Sequence, residues 1–167
     1  MPGKVMDKAA LVSRLAGRRA AGRRVVLTNG CFDLVHSGHV SYLREAASLG
    51  DLLVVGVNSD ASVRSFKEPG RPIVPEADRV EVVAALEMVD YVVLFDEPTA
   101  EVLVAELKPD IYVKGGDYRL EELPEARVVE SYGGQVKLLP YREGRSTTGI
   151  IQRILESYCP RATDNEA

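Results

Sequence analysis

Tryptophan is absent from this chain of 167 residues, and aromatic residues make up only 6% of it. The core is therefore aliphatic, and the stacking platforms that hold single-stranded nucleic acid are scarce. Positive charge is in deficit, with 21 Lys and Arg against 25 Asp and Glu and a net charge of −4. That balance argues against bulk adhesion to nucleic acid or anionic membranes, but leaves room for a local basic pocket. The two cysteines, Cys31 and Cys159, form no CxxC pair, so a reducing, cytoplasmic setting is expected. No run of 18 or more apolar residues occurs, which argues against a membrane-spanning helix. The Arg-rich start lacks the long apolar stretch of a secretory signal. The glycine patterns GxGxxG and GxxxxGK[ST] are missing as well, which disfavours a dinucleotide-dependent dehydrogenase and a P-loop enzyme.

What is present is a regular alternation of two periods. Residues 6–21 set Leu11, Val12 and Leu15 against Arg14, Arg18 and Arg19, a surface helix forming an N-terminal extension over 1–22. Short β-branched runs predict strands at 23–30, 51–58, 90–96, 110–117 and 134–140. Helical spacing predicts helices at 38–49, 76–89, 99–109, 121–132 and 146–158. Residues 59–75, with three prolines, read as a long polar connection, and 159–167 as a disordered tail. The alternation implies an α/β fold over 23–158, a single Rossmann-like, doubly wound, parallel five-stranded sheet with helices on both faces. Ligands of such sheets sit beyond the carboxyl ends of the strands. The unusual stretches "NGCFDLVHSGH", "NSDASVRSFK", "KGGD" and "REGRSTT" all fall there.

Both histidines, His36 and His39, lie in the first of these stretches, between a strand end and a helix start. Free backbone N–H groups and the helix dipole make that position an anion site. Two imidazoles can add donors to it, and Gly38 allows a ligand close to the backbone. Two other readings stay open: a zinc pair, for which Asp33 is the one further ligand nearby, and two histidines packed for structural reasons.

"GCFDLVHSGHVSYL", 30–43, resembles the signature of the nucleotidylyltransferase superfamily, with its HxGH motif at 36–39. "EGRSTTGIIQRI", 143–154, resembles that superfamily's second signature. Over about residues 23–156, including "VKGGDY" and the "GRSTT" phrase, the chain is similar to the adenylyltransferase domains that make ADP-heptose for lipopolysaccharide. The resemblance implies transfer of AMP from ATP to heptose 1-phosphate with release of pyrophosphate. The alternatives are a CTP-dependent cytidylyltransferase for glycerol phosphate or another polyol phosphate, and a silent nucleotide-binding module. Tyr141 and Arg142 stand where the cytidylyltransferases carry an Arg-Thr pair, and Arg145 fills a spacer that is often uncharged.

Catalytic roles are implied for His36, His39, Lys67 and Arg79, with Lys67 a mobile lysine and Arg79 a phosphate contact or a loop anchor. The nucleotide cradle would be Thr28, Asn29, Gly30, Cys31, Phe32, Asp33, Gly38, Lys114, Gly115, Gly116, Asp117, Ser146, Thr147 and Thr148. Asp33 would fix the loop or touch the phosphates, and one hydroxyl among 146–148 would only cap its helix. Arg71 and Arg145 are secondary candidates for the sugar phosphate. Magnesium is expected with ATP and no dedicated protein metal site. The partners implied are ATP and a sugar 1-phosphate, in a homo-oligomer (dimer or tetramer) with no nucleic acid and no membrane.

Overall fold

The computed structural model describes residues 3–116, 119–140 and 144–158. Along the chain run α1 (Lys8–Ala20), β1 (Val25–Gly30), α2 (Ser37–Ala47), β2 (Leu52–Asn58), α3 (Asp60–Phe66) and α4 (Glu76–Ala85). They are followed by β3 (Tyr91–Phe95), α5 (Glu101–Leu107), β4 (Ile111–Gly115), a short 3-10 turn (Leu120–Glu122), α6 (Pro124–Ser131), β5 (Gln135–Leu139) and α7 (Thr147–Tyr158). All strands are parallel, in the order β3-β2-β1-β4-β5. The strand pattern read from the sequence is therefore the observed one. The polar tail from 159 lies outside the described residues.

Strands buried on both faces need apolar residues at every position, and the alternation of side chains sorts them into two layers. Val26, Leu53, Val55, Val57, Val92, Ile111 and Val113 meet Tyr42, Leu43 and Ala46 of α2 and Val80, Val83 and Ala84 of α4. Val25, Leu27, Val54, Val93 and Tyr112 meet Leu11 and Leu15 of α1, Leu103, Val104 and Leu107 of α5, and Val129 of α6.

One connection differs from its reading. Residues 59–75 are not wholly irregular, because α3 occupies Asp60–Phe66. Ser59 caps it by accepting the Ser62 N–H at 3.2 Å, and only Ser62 and Val63 are buried. A helix of 7 residues with two buried positions leaves too little periodicity to stand out among prolines.

The N-terminal helix is built into the sheet's cover. Leu11 and Leu15 are fully buried. Arg19 Nη2 donates to the carbonyls of Leu107 and, at 2.8 Å, Lys108. It thereby satisfies the open carboxyl end of α5, where Lys108 turns left-handed at φ 44. Ahead of α1, Lys4 and Met6 bond to both backbone groups of Val92 and cover the β3 edge.

Leu15→Ala is expected to cost about 2–5 kcal/mol, since it leaves a cavity against a packed layer. Val12→Ala, at an exposed position, should stay within about 0.5 kcal/mol. Urea unfolding of both variants checks the contribution of α1, and equal, small effects would refute it.

Candidate active site

The crossover direction reverses at β1, which pairs with β2 on one side and β4 on the other. Beyond the carboxyl ends at this reversal lies a cleft of about 790 Å³. Asn29 and Gly30 of β1 and Lys114 and Gly115 of β4 line it. Among the described residues its charged lining is Lys67, Arg71, Lys114 and Arg145 against the single carboxylate of Asp33. Four cations around one cavity in an acidic chain suit a polyanionic ligand. Behind this lining, the buried Thr28 hydroxyl lies 2.6 Å from Oη of Tyr42, itself a lining residue, which donates to the Val113 carbonyl at 3.1 Å.

The two histidines face each other across the start of α2. His36 is the N-cap, with extended backbone at φ −137, and its Nδ1 accepts the Gly38 N–H at 3.1 Å. His39 Nδ1 accepts the His36 N–H at 3.4 Å. With Nδ1 occupied as an acceptor, each neutral ring carries its proton on Nε2 and keeps one N–H to offer. The ring centroids are 4.0 Å apart. Burial, reinforced by His36, holds the His39 imidazole down at about 4. Burial and then the Arg145 guanidinium hold His36 below its ordinary value. Both rings are therefore neutral donors at pH 7. Phe32, left-handed at φ 49, sets its ring 5.4 Å from His39.

Gly38 joins two parts of the site. A Cβ there would stand 2.8 Å from His36 Cε1 and 3.1 Å from Arg145 Cβ. The absence of a side chain lets the imidazole fold back and brings the 144–148 turn against the 36–39 turn. Ser146 Oγ accepts the Gly149 N–H at 3.0 Å, so it caps α7. Thr147 and Thr148 line the cleft beside it.

Two buried arginines fasten the connection after α3 beneath the cleft. Asp33 accepts Arg71 Nε at 2.6 Å and the N–H groups of Ile73 and Val74 at 2.9 and 2.8 Å. Burial alone would raise the Asp33 carboxyl, but these donors outweigh it and hold the group below its ordinary value. Arg79 is 1% exposed and does not line the cleft. Its donors go to Val74 O at 2.9 Å, to Cys31 O and to Asp60 Oδ1 at 2.8 Å. These are the contacts of a loop anchor and leave no reach toward a phosphate. Lys67, between α3 and the fastened segment, does line the cleft.

Of the remaining expected residues, Cys31, Phe32 and Asp33 line the cleft, while Thr28 lies below it. Gly116, at φ 124, bonds to Leu139 O, outside the lining. Asp117, like Tyr141 and Arg142, lies outside the described residues. The sequence motifs do not single out Asn58, Pro98, Thr99 or Tyr42, all of which line the cleft. Tyr42 sits three residues after His39, a spacing that places both on one helical face and could have revealed it.

Residues 27–153 match the family described as Cytidylyltransferase-like. The chain is 53% identical over 155 residues to the Bifunctional protein HldE of Trichlorobacter lovleyi, and 52% to that of Geobacter sulfurreducens. Each alignment covers 93% of this chain and 32% of the relative, so the chain spans about a third of their length. The crystal structure of the lipopolysaccharide core biosynthesis protein from Thermoplasma volcanium superposes with a TM-score of 0.61 at 33% identity, covering 74% of this chain and 100% of that one. Pantoate-beta-alanine ligase from Francisella tularensis has a TM-score of 0.57 at 16% identity, covering 87% of this chain and 69% of that one. It shares the fold alone.

Because His39 titrates near 4 when folded and near 6.5 when unfolded, the unfolded chain takes up its proton first as pH falls. Stability is full above pH 6.5 and is lost through the window down to about 4. His36 acts in the same direction. Urea unfolding should show about 2 kcal/mol less stability from His39 at pH 5 than at pH 7. His39→Asn keeps an acceptor for the His36 N–H and should flatten that slope, whereas an unchanged slope would clear His39 of the effect.

Proposed function

The chain belongs to the cytidylyltransferase-like family, and on that premise we propose that it transfers AMP from ATP to heptose 1-phosphate. The products are ADP-heptose, a precursor for the lipopolysaccharide core, and pyrophosphate. The observation that carries this reading is the meeting of the 36–39 and 145–148 turns at Gly38, within one cationic cleft. The choice of ATP and heptose rests on the resemblance of the chain to the ADP-heptose-forming adenylyltransferases. The similarity to Bifunctional protein HldE agrees with it.

An oxygen of the sugar phosphate attacks the α-phosphorus of ATP. The new P–O bond forms as the bond from the α-phosphorus to the bridging oxygen breaks, and pyrophosphate leaves with that electron pair. A phosphate monoester has its second pKa at about 6, so the nucleophile is already ionised at neutral pH and no general base is needed. The protein's task is alignment and neutralisation of the charge moving onto the leaving group. The Nε2–H groups of His36 and His39 donate to the phosphate oxygens, and Thr147 and Thr148 at the start of α7 receive the far end of the triphosphate. Lys67 closes on the triphosphate from the opposite wall. Arg79 serves as the anchor that keeps the Cys31 and Val74 carbonyls, and hence the Lys67 segment, in place. Arg71 and Arg145 add charge for the acceptor. Among the described residues no three His, Cys, Asp or Glu side chains gather to hold a cation. Magnesium enters as part of the substrate, carried on phosphate oxygens of ATP, whose charge needs a counter-ion.

Pyrophosphate release, measured with magnesium ATP and a panel of sugar 1-phosphates, is expected to be fastest with heptose 1-phosphate. Exclusive use of CTP, or no release with any acceptor, would overturn the reading. His39→Asn should lower kcat by about 10²–10³ through loss of one preorganised donor, with the capping contact to His36 retained. A variant within a factor of about three of the parent would remove His39 from the mechanism.

A further inference from the structure

Glu125 stands in the first turn of α6, 2% exposed, and does not line the cleft. A carboxylate taken out of water is costly unless it is paired and hydrogen-bonded. Here Oε1 accepts the Ala100 N–H at 3.0 Å and lies 3.7 Å from Lys114 Nζ. Oε2 has no partner among the described residues. The carboxylate thus touches two walls of the cleft from behind. One is the carboxyl end of β4, which carries Lys114. The other is the start of α5, immediately after Pro98 and Thr99, which line the cleft.

Lys114 is held loosely on its inner side. Its ammonium lies 3.5 Å from Asn29 Oδ1 and 3.4 Å from Tyr112 Oη, in addition to the 3.7 Å contact with Glu125. Tyr112 already donates to Asn29 at 2.6 Å. The contacts with Asn29 and Tyr112 are at the outer edge of hydrogen-bonding distance, and that with Glu125 is an ion pair without a hydrogen bond. A group with three donors so placed at the edge of an anion-binding cleft retains capacity for a ligand oxygen.

We infer that Glu125 is a positioning residue for Lys114: its buried carboxylate tethers the ammonium at the end of β4, where it meets a phosphate oxygen of the bound ligand. This rests on the nucleotidyl-transfer reading for its effect on rate, but not for its effect on binding. Glu125→Gln keeps an acceptor for Ala100 while removing the charge. The electrostatic consequence is specific. With the counter-charge gone, anions should bind at least as well, while the ammonium is no longer held for transfer. A merely structural role would instead weaken binding and rate together.

The test is a double-mutant cycle with Glu125→Gln, Lys114→Met and both together. Titration calorimetry with inorganic pyrophosphate should show about tenfold weaker binding in Lys114→Met, and parent or tighter binding in Glu125→Gln. The Gln substitution should have no effect in the Lys114→Met background. In turnover, Glu125→Gln should lose about 10- to 100-fold in kcat with KM unchanged or lowered, and the double variant should be no slower than Lys114→Met. Additive losses, or a raised KM in Glu125→Gln, would overturn the inference while leaving the transfer reading intact. If the parent releases no pyrophosphate with any acceptor, the transfer reading falls and the calorimetric cycle alone decides the tether. If the Gln variant does not fold, Glu125→Asp, which keeps the charge but draws it away from Lys114, takes its place, with pyrophosphate binding expected at the parent's level and a loss of kcat that disappears in the Lys114→Met background; a raised KM or an additive loss would overturn the inference.

Discussion

Both imidazoles at the cleft are aimed by the backbone they cap. The amino end of α2 offers N–H groups that need acceptors, and Nδ1 of each ring supplies one. That single arrangement selects the tautomer, fixes the ring planes and leaves the outer nitrogens as donors. It also explains the glycine between them, since any side chain at 38 would press on the His36 ring. Burial keeps the rings neutral, so the cleft's positive charge comes from lysine and arginine around them. The histidines contribute directed N–H groups, and the cations contribute field.

The segment carrying Lys67 depends on a different economy. Two guanidinium groups are buried, which is unfavourable unless they are paired and hydrogen-bonded. Arg79 meets that condition with three protein acceptors, and Arg71 shares Asp33 with two backbone N–H groups. The backbone of 71–74 is thereby tied to the loop after β1, and the Lys67 segment takes its place from that tie. Rigid anchoring beneath and an exposed lysine above is an arrangement in which a long side chain can move without its backbone moving.

How much of this was legible in the sequence follows from the range of the interactions. The inner strands β1 and β2 are buried over most of their length and so appear as apolar runs, while the edge strand β5 carries a shorter apolar run and is half exposed. The number and direction of the strands and the placement of the unusual stretches at their carboxyl ends can be read directly. The HxGH turn is legible because its residues bond to one another within four positions. The inward turn of Arg79 is not, because its acceptors at Cys31 and Asp60 lie 48 and 19 residues away. Glu125 is hidden for the same reason, since it reads as one more charge at the start of a helix, where acidic residues are ordinary. The helix α3 escapes notice because burial of two residues gives no stripe to follow.

The chain of hydroxyls from Thr28 through Tyr42 to the Val113 carbonyl links β1, α2 and β4 underneath the point where the sheet changes direction. The spacing of those two strand ends is thus tied to bonds made at and behind the cleft floor, where Tyr42 reaches the lining and Thr28 does not, while most of the lining sits on separate segments above. A fold divided in this way separates its foundation from its fittings. The upper segments can then be altered one at a time, changing what the cleft accepts, without disturbing the spacing of the strand ends beneath them.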